Sequence, residues 1–162
     1  MEIGSLHEHF MKEAVKQALM GLEKGEVPVG AVIVQNNQII ARAHNLCETL
    51  KDPTAHAEMI AMTQASSHVS EGKKGHRGSL EGLALYVTLE PCPMCAGAMV
   101  WNKIKNLIYG AKDPRAGACD SLFRITTDDR LNHRLNVISG VMESDARTML
   151  QEFFRGLRKE KR

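Results

Sequence analysis

The sequence predicts an α/β domain with helices on the faces of its sheet. Three observations predict it: apolar residues at helical spacing between Leu6 and Leu22, a continuous apolar run from Val27 to Val34, and an alternation of strand-like and helix-like segments from residue 28 to 110. In the first segment Phe10, Ala14, Val15, Ala18, Leu19 and Leu22 share one helical face, and Gly25 stops the helix. Val27-Pro28-Val29-Gly30-Ala31-Val32-Ile33-Val34 reads as a strand buried on both faces. Asn36-Asn37 supplies a tight turn, and Gln38 to Ala43 is the returning strand of a hairpin.

Asp52-Pro53-Thr54 offers capping residues and a proline, so a second helix is expected from near Ala55 to about Ser66. Ser67 to Gly82, rich in Gly, Ser, Lys and His, reads as a surface loop with His68 and His76 solvated. Leu83 to Leu89 is a third strand. Pro91 and Pro93 open a third helix running through Met99 and Trp101, and Lys105 to Tyr109 is a fourth strand. The second and third helices thus join successive strands. Gly110 to Asn132 has the irregular pattern of a long functional loop, followed by a short strand at Leu135 to Ile138 and a final amphipathic helix from Ala146 to Leu157.

With 162 residues, 43% of them hydrophobic, the chain can bury one ordinary core, and residues 1–162 are expected to form a single domain. Its apolar runs are too short to span a bilayer and its first residues lack the order of a signal peptide, so a soluble, cytoplasmic protein without membrane contact is expected. Four cysteines in such a chain read as thiols: Cys47 and Cys119 as small buried residues, Cys92 and Cys95 as a Cys-x-x-Cys pair. The formal charge of +2 hides an asymmetry, because Arg155 to Arg162 carries five basic and one acidic side chain, leaving −2 on the remainder. That basic tail is either a solvated helix end or a contact to RNA phosphates.

Chemistry is concentrated in His56-Ala57-Glu58 and Pro91-Cys92-Pro93-Met94-Cys95, each placed at the start of a helix after an extended segment. One imidazole and two thiolates suit zinc. Cys92 and Cys95 fall on one side of their helix, whose positive end favours thiolate. His56 and Glu58, about 200° apart around a helix, converge only over a helix end. Three protein ligands leave zinc a fourth position for water, giving hydroxide near neutral pH, while Glu58 moves protons from water to a ring nitrogen and to departing ammonia. The competing interpretation is a structural zinc completed by Cys47, Cys119 or His44, which leaves the carboxylate beside His56 unexplained.

His-x-Glu followed by Pro-Cys-x-x-Cys resembles the signature of zinc nucleoside and nucleobase deaminases. The resemblance implies the cytidine deaminase-like fold, a three-layer α/β/α arrangement around a mixed sheet of about five strands. It implies one Zn2+ per subunit on His56, Cys92 and Cys95, with Glu58 as catalytic proton shuttle.

Within that superfamily the chain resembles the bacterial tRNA-specific adenosine deaminases from its first helix to about Arg155. Glu26-Val27-Pro28-Val29-Gly30-Ala31-Val32, Asp52-Pro53-Thr54-Ala55-His56-Ala57-Glu58 and Leu85 to Met99 carry the likeness, with Gly110-Ala111-Lys112-Asp113, Ala116-Gly117-Ala118, Asn132-His133 and Phe153-Phe154-Arg155. Bacterial guanine deaminases share the Asp-Pro-Thr-Ala-His-Ala-Glu and Pro-Cys-Pro-Met-Cys segments, so a guanine or other free-base or nucleoside deaminase is the alternative; Glu26 to Val29 and Ala116 to Ala118 look like the tRNA enzyme. One departure is Asp120, where that family has glycine before serine, which leaves the loop conformation open.

The resemblance implies deamination of the wobble adenosine of an arginine tRNA anticodon loop to inosine by a homodimer. It also implies substrate contacts from Asn45, Ala57 and Asp113: Asn45 to the flipped-out base or its ribose, Asp113 near a flanking ribose. By their residue types alone, Asn45 and Asp113 are equally turn residues. His133, Phe153 and Phe154 are weaker candidates, since aromatic residues on a terminal helix more often pack into a core.

Overall fold

The computed structural model describes residues 3–161. Helix α1 (Ile3–Glu23) precedes the hairpin β1 (Gly30–Gln35) and β2 (Gln38–His44). A four-residue helix α2 (Cys47–Leu50) and helix α3 (Ala57–Ser70) lead to β3 (Ala84–Leu89), α4 (Pro93–Trp101) and β4 (Asn106–Ala111). A 3-10 turn (Ile125–Thr127), strand β5 (Asn136–Ile138) and helix α5 (Glu143–Glu160) complete the chain. The strand order is β2-β1-β3-β4-β5, antiparallel from β2 to β3 and parallel from β3 to β5, which makes the expected mixed five-stranded sheet.

Side-chain alternation along the central strands produces the two helical layers. Ala31, Ile33, Leu85, Val87, Leu107 and Tyr109 face α3 and α4, burying Ala57, Ala61, Met62, Cys95 and Met99. Val32, Val34, Tyr86 and Ile108 face α1, burying Phe10, Met11 and Ala14. Helix α1 lies so close to β1 that a Cβ on Gly30 would sit 1.9 Å from the Ala14 carbonyl oxygen. That contact accounts for a glycine at the first position of an apolar strand. Asn36 and Asn37 both take positive φ, 49° and 60°, as the two-residue hairpin turn requires.

Helices α3 and α2 differ from the sequence expectation. Helix α3 starts at Ala57, because the Asp52 carboxylate accepts hydrogen bonds from the Thr54 N–H and hydroxyl at 2.8 and 2.7 Å and forms a local turn of its own. At its other end α3 continues to Ser70, where the Ser70 hydroxyl bonds back to the Ser66 carbonyl at 2.7 Å. His68 is therefore helical, though exposed as expected. Helix α2 was not anticipated; one helical turn is too short to show a period. Among the described residues no helix is long and apolar enough to cross a membrane.

Candidate active site

The late start of α3 resolves the geometric problem posed by His56 and Glu58. His56 is the extended residue before the helix, with φ −75° and ψ 149°, while Glu58 lies in its first turn. Cys92 occupies the corresponding position before α4, with Pro93 as the first helical residue and Cys95 one turn in. Both helices thus present their N-termini to one point.

There the His56 Nδ1 lies 3.6 Å from Cys92 Sγ and 3.5 Å from Cys95 Sγ, and the three donor atoms fall within 4.8 Å of one another. A tetrahedral zinc ion with ordinary zinc–sulfur and zinc–nitrogen bonds sets sulfur and nitrogen about 3.6 Å apart. The donor set therefore fits zinc in both chemistry and spacing. The imidazole also donates to the Pro53 carbonyl, the kind of outer contact that fixes ring orientation in metal sites. The Cys95 thiol, donating a hydrogen bond, holds Cys92 down to about 4 despite burial, with His56 assisting. Cys95 is pushed up, first by Cys92 beside it and then by burial. The two sulfurs thus divide in character, Cys92 being the one that favours thiolate.

Glu58 is 4% exposed and stands next to these donors. Burial pushes its carboxyl up to about 7, partly offset by its own backbone N–H and by His56. It opens, with His56, Cys92 and Asn45, onto a cleft of about 1110 Å³.

Asn45 is a buried side chain whose Oδ1 accepts from the Ala57 N–H at 2.8 Å. That bond commits the oxygen and leaves the amide NH2 as the group available to the cleft. Ala57, expected at the substrate, is fully buried, spends its N–H on Asn45 and does not line the cleft. Asp113 does line it, while its Oδ1 accepts from the Arg115 and Ala116 N–H groups, so it is both a turn residue and a wall residue. His133 is held elsewhere, its Nε2 2.7 Å from the Ile104 carbonyl oxygen.

The outer wall joins residues that the sequence offers only as separate candidates, the basic tail and Phe154. Helix α5 contributes Arg147, Gln151, Phe154, Arg155 and Arg158 to the cleft, and Lys161 follows at its C-terminal end. Phe154 is 42% exposed there rather than packed in a core, and stands edge-on to Phe153 with centroids 5.3 Å apart. Most of the predicted basic tail therefore faces the cleft; Arg162 lies outside the described residues. Cys119 is buried as expected, but Cys47 is half-buried at the cleft rim, its thiol 3.8 Å from the Pro53 carbonyl oxygen. Asp120 has no positive φ, so its loop does not need glycine; its carboxylate accepts a hydrogen bond from the Tyr109 hydroxyl.

Two buried carboxylates hold the rims. Glu26 accepts from the Glu48 N–H, the Thr49 N–H and the Thr49 hydroxyl, at 3.1, 2.7 and 2.8 Å, and so fixes α2. Burial works against its charge, and these bonds still hold its carboxyl below the usual range. Glu90 holds the opposite rim by backbone N–H groups in the same way. The signal for both was a lone glutamate beside apolar strand residues.

A metal donor triad beside a buried carboxylate, at the N-termini of two helices flanking a mixed sheet, defines a zinc-dependent hydrolytic deaminase. The family profile of the cytidine and deoxycytidylate deaminase zinc-binding region matches residues 5–111. A curated relative from Bacillus subtilis (strain 168), a tRNA-specific adenosine deaminase, is 48% identical over 155 residues, covering 96% of this chain and 92% of its own. A solved structure from work on A-to-I editing by tRNA deaminases at the wobble position of transfer RNA superposes with a TM-score of 0.80 at 40% identity, over 88% of this chain and 99% of that one. Guanine deaminase from Bacillus subtilis superposes with a TM-score of 0.59 at 41% identity, over 65% of this chain and 64% of its own. The chain belongs to the cytidine and deoxycytidylate deaminase family, among the tRNA-specific adenosine deaminases.

Proposed function

We propose that the chain deaminates the wobble adenosine of a tRNA anticodon loop to inosine, releasing ammonia. The observation that carries this reading is the pairing of the donor triad and Glu58 at the cleft floor with a basic, aromatic-bearing helix along its outer wall. A free base needs only the floor; a folded RNA also presents phosphates and stacked bases to the wall.

In this reading His56, Cys92 and Cys95 hold one zinc ion per subunit. When bound, zinc supplies Lewis-acid chemistry that makes water at the site nucleophilic near neutral pH. Glu58 takes one proton from the attacking water on a carboxylate oxygen and passes it to the adenine N1; it then takes the second proton from the new C6 hydroxyl and gives it to the leaving amino group, which departs as ammonia. Asn45 presents its amide NH2 to the flipped nucleoside, and Asp113 stands beside the flanking nucleotide. Adenosine and water are thereby converted to inosine and ammonia, with no net change in the protein. The reading extends to an arginine tRNA, a cytoplasmic setting, one deaminase domain over the whole chain and a second copy of the chain as partner. The exposed Trp101, 86% accessible, is the kind of aromatic surface that a subunit interface covers.

Free guanine, cytidine, adenosine and an anticodon stem-loop, offered separately to zinc-loaded enzyme, test the substrate. The stem-loop should release ammonia far faster than the others; preference for guanine would overturn the reading.

The basic wall adds an expectation about salt. Each phosphate neutralised by Arg155, Arg158 or the residues beyond contributes about 0.7–0.9 to the slope of log affinity against log salt. Deleting Lys159 to Arg162 should make that slope shallower in a filter-binding titration. An unchanged slope would mean that these side chains stay in solvent.

A further inference from the structure

Glu90 joins the end of β3 to the proline that precedes Cys92, and it is 2% exposed. No ion pair among the described residues involves it. Five donors instead converge on its carboxylate. Oε1 accepts from the N–H groups of Cys119, Asp120 and Ser121 at 3.2, 2.7 and 2.8 Å. Oε2 accepts from the Asp113 N–H at 2.9 Å and the Ser121 hydroxyl at 2.5 Å.

All five belong to one segment, residues 113–121, which wraps around the carboxylate. The wrap leaves no room for a side chain at Gly117, where a Cβ would sit 2.3 Å from Oε2. The main chain on either side is stitched to the same region: the Glu90 N–H donates to the Ala111 carbonyl at 2.8 Å, and the Ala118 N–H donates to the Pro91 carbonyl at 2.8 Å.

Residues 112–116 form the cleft wall facing His56 and Glu58, yet none of their side chains is buried. Apolar packing holds its flanks, at Ala111 and at Ala118 and Cys119, but not the wall between them, whose position depends on hydrogen bonds. We propose that Glu90 is a positioning residue for the reaction: its carboxylate ties the Asp113 wall to the segment that carries Cys92, so that bound nucleotide is registered against the reacting centre. This rests on the reading that the cleft holds the nucleotide to be deaminated.

Glu90→Gln is the informative variant. An amide in place of the carboxylate keeps one oxygen for the three N–H groups on the Oε1 side. On the other side the Ser121 hydroxyl can turn and accept, but the Asp113 N–H then faces a donor. With zinc-loaded enzyme and the anticodon stem-loop, KM should rise about tenfold while kcat stays within about threefold, because the loss falls on nucleotide placement. Zinc content should be unchanged. Amide hydrogen exchange should accelerate over residues 112–121 and remain slow over 93–101.

A residue that only maintained the fold would lower the active fraction, reducing apparent kcat and leaving KM unchanged; that pattern would overturn the proposal. Ser121→Ala, which removes one of the five bonds, should raise KM in the same way by a smaller factor, and the double variant should not exceed the larger single effect. Additive effects would count against a shared contact. If Glu90→Gln does not fold, Ser121→Ala decides the matter by the same split. Should the unmodified enzyme form no inosine, the substrate reading fails, and the exchange pattern alone decides whether Glu90 holds the wall.

Discussion

Glu58→Gln should lower inosine formation by at least about 10²–10⁴-fold, the usual contribution of a positioned general acid–base group. Glutamine keeps the size and hydrogen-bonding reach of the side chain but accepts no proton from attacking water. Glu58 is buried beside the donor triad without being one of its three members, so zinc content should stay near one per subunit. RNA affinity should also largely survive, since phosphate and stacking contacts are expected from the basic and aromatic side chains of α5 rather than from this carboxylate. Metal analysis, stem-loop binding and inosine formation on the same preparation check the three parts together. Near-normal turnover, or loss of zinc, would place Glu58 in the metal shell or in structure instead.

His56→Ala should behave differently, losing both metal and activity. Its imidazole is one of the three donors, and it also anchors the site through its hydrogen bond to the Pro53 carbonyl. With the imidazole gone, Cys92 and Cys95 remain as a two-thiol pair without the geometry of a three-ligand site. Metal binding is coupled to folding, so the thermal midpoint of the variant should fall to that of chelator-treated native protein. Added zinc should restore neither activity nor midpoint. A variant that keeps one zinc per subunit and a native midpoint would show that another group, such as Cys47 or His44, completes the site.

The donor triad and the alternation of strands and helices were legible because both are local. The unbroken apolar run of Ala31 to Val34 and helical spacing in α1 are written in neighbouring residues, and Cys92 and Cys95 stand three apart in one short motif. The start of α3 was misjudged because Asp52 and Thr54 are good helix caps and equally good turn formers. Here the Asp52 carboxylate serves its own turn, and His56 is left extended. Nothing local says that α5 turns its basic face to the cleft, that Phe154 lines it, or that the Ala57 N–H is taken by Asn45. Those facts depend on where segments far apart in sequence come together. The buried Glu26 and Glu90 lie between these cases: a carboxylate in apolar surroundings needs donors, but the sequence does not show that the donors are the two rims of the cleft.

Position-resolved mass analysis of an arginine tRNA anticodon stem-loop, after reaction with the zinc-loaded enzyme, shows whether the cleft takes the first anticodon nucleotide as adenosine and converts it to inosine. Inosine should appear at the wobble position alone, one per strand, with ammonia released in equal amount, and none should form when that adenosine is moved to a neighbouring position. Inosine elsewhere in the loop, or ammonia from free guanine with the stem-loop unchanged, would rule out a wobble-specific tRNA enzyme.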